Sequence, residues 1–248
     1  MIRIKIFFVV FLALALTLGM PAASWANFIT NGSFDQSSNG AGQVGYNTTI
    51  TGWSMASSGG YTFLFTSGSA DTTGVTGQFG NLKLWGPNDG SANGLTAASP
   101  DGGNFIASDG DFQQVAIQQT LSGLTQGQNY QVGFWWAGAQ QSSYTGVSTD
   151  QWQVSFGGQT QSTSIYTNPS EGFSGWMYQT FTFQADGASD VLSFLAVGTP
   201  AGVPPFSLLD GVSVQSAVPE PSTLCLMGLG LIGIGVIKLR TRLRMARS

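Results

Sequence analysis

Apolar and polar residues alternate along the second half of the chain with a period of two. "IQQTL" places Ile117, Gln119 and Leu121 on one face. "YQVGFWWA" does the same with Tyr130, Val132, Phe134 and Trp136, and "WQVSF" with Trp152, Val154 and Phe156. "WMYQTFTF", "DVLSFLAVG" and "FSLLDGVSV" continue the pattern towards residue 214. Turn-forming stretches such as "SGLTQGQ" separate these runs. Such alternation marks half-buried strands, because successive side chains on a strand point to opposite faces. No long amphipathic helical pattern interrupts it. The expected architecture is all-β: a two-sheet antiparallel β-sandwich, one domain over residues 27–217.

Two apolar runs without alternation flank that domain. Ile6 to Met20 follows Arg3 and Lys5 and precedes "PAASWA". This order reads as a secretory signal helix, residues 1–26, cut between Ala26 and Asn27. At the other end, Leu224 to Ile237 is 14 residues long. At ~1.5 Å per residue it covers roughly 21 Å, short of the ~30 Å hydrocarbon core. It reads as a marginal membrane helix, followed by basic residues 238–247 that stay cytoplasmic. The literal G-x-G-x-x-G at Gly228, Gly230 and Gly233 lies inside this run. With no strand before it and no crossover after it, it reads as small residues of a membrane helix.

Composition narrows the chemistry of the domain. The chain has no His, and its one Cys, Cys225, lies in the C-terminal run. Residues 27–217 therefore lack an imidazole base, a thiol nucleophile and the usual zinc ligands. Lys83 is the only basic residue there, against eleven acidic ones, for a formal charge of −10. Such a surface repels phosphate backbones, which excludes nucleic acid as a partner. It favours hard cations such as Ca²⁺.

The C-terminal order Pro219-Glu220-Pro221-Ser222, apolar helix, basic end resembles the PEP-CTERM sorting signal of Gram-negative bacteria. The resemblance spans residues 218–248. It implies export by the Sec machinery and brief anchoring in the inner membrane through the C-terminal helix alone. An exosortase then cleaves near Pro219, Glu220 and Pro221, and the product passes to the cell surface or an exopolysaccharide matrix. The same tail carries the label of an ice-binding protein C-terminal domain, which describes sorting only. "NFITNGSFD" and "PPFSLLDGVSV" resemble the first and last strands of jelly-roll, galactose-binding-like modules, many of which bind carbohydrate. The runs from "SPDGGNFIASDGDF" and "NPSEGFSGWMYQTFTF" are similar to a recurrent ectodomain of PEP-CTERM proteins.

Candidate residues follow. Trp135 points away from the core face, so it can stack on a sugar ring while Gln131 and Gln153, with Gln140 and Gln141, bond its hydroxyls. A loop laid over Trp135 is the competing reading. Trp53, Trp85 and Trp176 are alternatives with core packing as their default. In the jelly-roll modules Asp35 and Asp210 match the positions that hold a structural Ca²⁺. Gly211 stands where those motifs often have a second Asp. Asp101, Asn104, Asp109 and Asp111 lie among glycines and read as turn residues, with a second cation site as the alternative. A glycoside hydrolase would need a carboxylate pair, drawn from Asp109, Asp111, Asp150 and Glu171. The sequence expects a non-catalytic matrix or surface protein associated with extracellular polysaccharide. The alternatives are a purely structural protein without a ligand and a glycosidase.

Overall fold

The computed structural model describes residues 27–217. They form an all-β sandwich of antiparallel strands with one short 3₁₀ turn at Pro87–Asp89. Ala26, Pro219, Glu220 and Pro221, and both flanking apolar runs, lie outside the described residues. Among the described residues no helix is long and apolar enough to cross a membrane.

The first half supplies short strands: β1 (Gly42–Gln43), β2 (Ser54–Met55), β3 (Thr62–Phe65), β4 (Val75–Gly77), β5 (Gly80–Leu82) and β6 (Phe105–Asp109). The second half supplies longer ones: β7 (Ile117–Ser122), β8 (Asn129–Gln140), β9 (Ser148–Phe156), β10 (Gln159–Ser162) and β11 (Tyr166–Asn168). β12 (Met177–Gln184), β13 (Ser189–Thr199) and β14 (Pro205–Ser216) complete it. The first sheet runs β1-β3-β6-β14-β8-β12. The second runs β10-β9-β13-β7-β2, with β11 also paired to β9, and β4 and β5 form a separate hairpin.

Each long alternating run of the sequence is a strand in one of these sheets. Their inward residues meet between the sheets: Tyr130, Val132, Phe134 and Trp136 from β8 pack with Trp152, Val154 and Phe156 from β9. Phe194 on β13 sits at the centre, with ring contacts to Trp53, Phe134 and Trp152 at 5.1–6.2 Å. The first residue after the expected signal cut, Asn27, is part of the fold, since its Oδ1 accepts the Val214 amide at 2.9 Å.

The structure departs from a simple two-layer expectation in one respect. The first sheet is buried on both faces over part of its area. Phe63, Phe65, Phe105, Ala107, Ala137, Ala139, Phe206 and Leu208 face away from the second sheet into another apolar cluster. The excursion between β3 and β6 supplies its cover, through Ala70, Val75, Leu82, Leu84 and Leu95. The glycine-rich stretch 101–111 is also more than turns, because β6 runs through it. That strand carries Asp101 and Asn104 to one end of the sheet and Asp109 and Asp111 to the other.

Candidate functional site

The loops at one end of the first sheet enclose a cleft of about 350 Å³. Tyr61, Phe79, Phe112 and Tyr144 line it, with Asp109, Asp111 and Gln141. Phe79 comes from the β4–β5 turn, Phe112 from the loop after β6, and Tyr144 from the loop after β8. Tyr61 leads into β3 and holds the group together. Its ring lies 6.0 Å from Phe79 and 5.3 Å from Phe112, and those two are 5.7 Å apart. Phe79, Phe112 and Tyr144 are 65%, 45% and 41% exposed, so their rings face solvent rather than core.

Asp109 shapes the floor of this cleft. Its Oδ1 accepts the amides of Asp111 at 2.8 Å and Phe112 at 3.0 Å, which pins the loop that carries Phe112. Burial pushes its carboxyl up to about 6, against the pull of those two amides and with a further push from the Asp111 charge. No basic residue lines the cleft. Lys83, the one base of 27–217, is paired with Asp89 at 2.9 Å.

The tryptophan and glutamines singled out in the sequence are not gathered round one point. Trp135 and Gln131 do point out of the first sheet, since Tyr130, Val132, Phe134 and Trp136 take the inward positions. Trp135 is half-buried; Tyr178 lies against it with centroids 5.0 Å apart, and Gly211 packs on its edge. Gln153 lies between inward Trp152 and Val154, so it points out of the opposite sheet and cannot share a ligand with Trp135. Gln140 is fully buried and bonds the Glu171 amide and the Gly146 carbonyl, while Gln141 reaches the cleft. Trp53 is core, donating to the Asn31 carbonyl at 3.0 Å. Trp85 donates to the Tyr144 carbonyl, and Trp176 donates to Thr96 Oγ1 while packing on the outer apolar cluster.

Asp35 and Asp210 fall at a second acidic spot, and the structure adds Asp101 to them. Asp210 is fully buried on β14. Its Oδ2 accepts from Ser99 Oγ, while its Oδ1 has no partner. Burial, with the charges of Asp101 and Asp35 adding to it, pushes this carboxyl up to about 8. Asp35 Oδ1 accepts the Asn104 amide at 2.9 Å. Gly211 has φ +58°, and a Cβ there would stand 3.1 Å from Asp101 Cβ. The Asp101 side chain thus occupies the space beside Gly211. Among the described residues no three acidic side chains by themselves form a metal centre. A cation here would need main-chain and water oxygens as well, and the orphaned Asp210 Oδ1 fits that requirement.

Of the carboxylates weighed as a catalytic pair, Asp109 and Asp111 share the cleft. Asp150 is sealed between the sheets, and Glu171 lies half-buried in the loop after β11.

Fold and site together define an antiparallel β-sandwich with an aromatic, acidic cleft. Comparison with known proteins adds the following. Residues 217–242 match the PEP-CTERM protein-sorting motif, so the chain carries that motif and is marked as an exported surface protein. Halomucin of Haloquadratum walsbyi is 27% identical over 213 residues, covering 82% of this chain and 2% of that protein. This chain thus spans a small fraction of that relative. Among solved structures, a family 61 carbohydrate-binding module bound to β-1,4-galactotriose is 16% identical with a TM-score of 0.37. It matches 77% of this chain and 99% of the module. The xylan-binding domain of a Paenibacillus barcinonensis protein is 8% identical with a TM-score of 0.37, over 81% of this chain and 100% of that one. The enzymatically active domain of a bacteriophage CBA120 tailspike gives 13% and 0.39, over 77% and 21%. Likenesses this distant carry no argument about ligand.

Proposed function

We propose that residues 27–217 bind polysaccharide in the aromatic cleft, without catalysis. In this reading an exosortase releases the chain to the surface or exopolysaccharide matrix of a Gram-negative bacterium. One observation carries it: three solvent-facing rings and Gln141 surround a cleft of about 350 Å³. Ring faces stack on the apolar face of a pyranose, and Gln141 and the carboxylates bond its hydroxyls. A cleft with two carboxylates and no base favours neutral or amine-bearing sugars over uronic acids. The test is a glycan array with the full chain and Phe112→Ala. The expected result is retention of neutral or amine-bearing oligosaccharides, weakened at least about tenfold in the variant, as for a buried aromatic anchor. Equal retention by the variant, or loss on Trp135→Ala instead, would overturn this placement.

A glycosidase is the second reading, favoured by Asp109 and Asp111 facing one cleft. Asp109, with its raised pKa, would be the acid. Its Oδ1 is already engaged by two amides, which suits a turn-fixing role better. Release of reducing ends that is abolished by Asp109→Asn would establish the enzyme.

A structural Ca²⁺ at Asp35 and Asp210 completes the proposal, with Asp101 beside them. The unpartnered Oδ1 of Asp210 supports it. The ion would tie the first strand region to β14 and so hold the domain's two ends together.

A further inference from the structure

Four oxygens inside the sandwich have no hydrogen-bond partner besides the one at Asp210. They are both carboxylate oxygens of Asp150, Ser148 Oγ and Asn168 Oδ1. They belong to one place. Ser148 and Asn168 face each other across the β9–β11 ladder. Asp150 is the next inward position along β9, and all three residues are at most 1% exposed.

The opposing wall is built to leave them room. Asp150 points across the sandwich at Gly138 of β8, where a Cβ would stand 2.7 Å from Asp150 Oδ2. The neighbour of Gly138 in the sheet is Ser207, whose small side chain also turns inward and donates to the Gln151 carbonyl at 3.4 Å. The loop after β11 closes the end. Gly172 there comes down on Asn168 Oδ1, and a Cβ on it would stand 2.6 Å from the Pro169 carbonyl oxygen. Fully buried Gln140 bonds this loop and the 141–147 loop at once, through Glu171 and Gly146.

The four orphaned atoms are all oxygens. The Asn168 amide, which donates to the Gly172 carbonyl at 3.3 Å, eases the Asp150 charge without giving either carboxylate oxygen a hydrogen bond of normal geometry. Among the described residues no base is available to neutralise Asp150, because Lys83 is held by Asp89. Asp109 adds its own negative charge nearby. A hard cation is the partner that such a set of buried oxygens calls for, whereas anions and thiol-seeking metals are disfavoured. We propose that Asp150, Ser148 and Asn168 hold a calcium ion between the sheets, with main-chain or water oxygens completing its shell. This site is separate from that of Asp35 and Asp210. It would brace β9, β11 and the loop that closes this end.

Thermal melts of the full-length chain, in Ca²⁺ and in chelator, separate the two sites. With Asp210→Asn as background, Ca²⁺ at a hundredfold excess over its dissociation constant is expected to raise Tm by about 5–10 °C. Adding Asp150→Asn should abolish that gain while raising Tm in chelator, because the amide needs neither a proton nor a charge to sit in the dry site. Should that double variant fail to fold, Asn168→Ala in the same background must lose the Ca²⁺ gain. The proposal is overturned if the Asp210→Asn chain does not respond to Ca²⁺. It is equally overturned if Asp150→Asn or Asn168→Ala keeps the gain, or if Asp150→Asn raises Tm alike in both conditions, the behaviour of a protonated acid among waters.

Discussion

Asp109, Asp150 and Asp210 are carboxylic acids that the fold has taken out of water, and burial is the first cause of the rise in each. Their folded pKa values stand above the ordinary 3.8, at about 6 for Asp109 and about 8 for Asp210. Between the unfolded and folded values the native chain keeps a proton that the unfolded chain has released. Stability from each group is therefore complete below the unfolded value and lost as pH rises through the folded one. In chelator, Tm should fall from about pH 4 to about pH 8, with each group losing at most about 1.4 kcal/mol per pH unit across its window. Ca²⁺ should flatten the slope, since the ion takes over the role of the proton. A chelator profile that rises over that range would show that these acids are ionised and paired in the native state. Asp210 was visible in the sequence through its motif position. Asp150 was visible only as a carboxylate, because its burial depends on Gly138 across the sandwich.

At the scale of elements, the strands differ in how plainly the sequence marks them. β7, β9 and β13 have one buried face, so their apolar residues alternate with polar ones and the period is legible. β3 and β6 are buried at every position, "TFLF" and "FIASD", because the excursion 66–104 covers the outer face of their sheet. Without an exposed face there is no alternation to read. The aromatic cleft was hidden for another reason: its rings come from separate loops, and no local pattern joins Phe79 to Phe112 or Tyr144. Two substitutions test this account of the layers. Phe194→Ala empties the contact of three rings at the centre of the core and should destabilise by about 3–5 kcal/mol in denaturant unfolding. Gly138→Ala drives a methyl to within 3.0 Å of Asp150 Cβ and should cost about 1–3 kcal/mol. A neutral Gly138→Ala would mean that the sheets at that end have slack.

The whole molecule divides its chemistry sharply along the chain. Positive charge lies almost entirely in the two ends, and residues 27–217 keep a formal charge of −10. The cleft shares that sign, so the field around the domain and the groups inside the cleft act on a ligand in the same direction. On the proposed reading, an anionic polysaccharide is repelled at long range and again on contact, and an amine-bearing one is attracted twice. Opposite charge speeds encounter and is screened by salt over roughly 8–10 Å at physiological ionic strength. A partly de-N-acetylated glucosamine oligomer should therefore bind more tightly than its fully acetylated counterpart at low salt. The two should converge as salt rises towards about 1 M, where the screening length shrinks to ~3 Å. Asp111→Asn should narrow the difference at low salt while leaving the acetylated oligomer's affinity nearly unchanged, because the proposed stacking on Phe112 and Tyr144 does not depend on charge. Titration calorimetry of both oligomers at two salt concentrations reads all of this. Equal affinities at low salt would show that the aromatic rings select the ligand and that the acidic field is there for solubility alone.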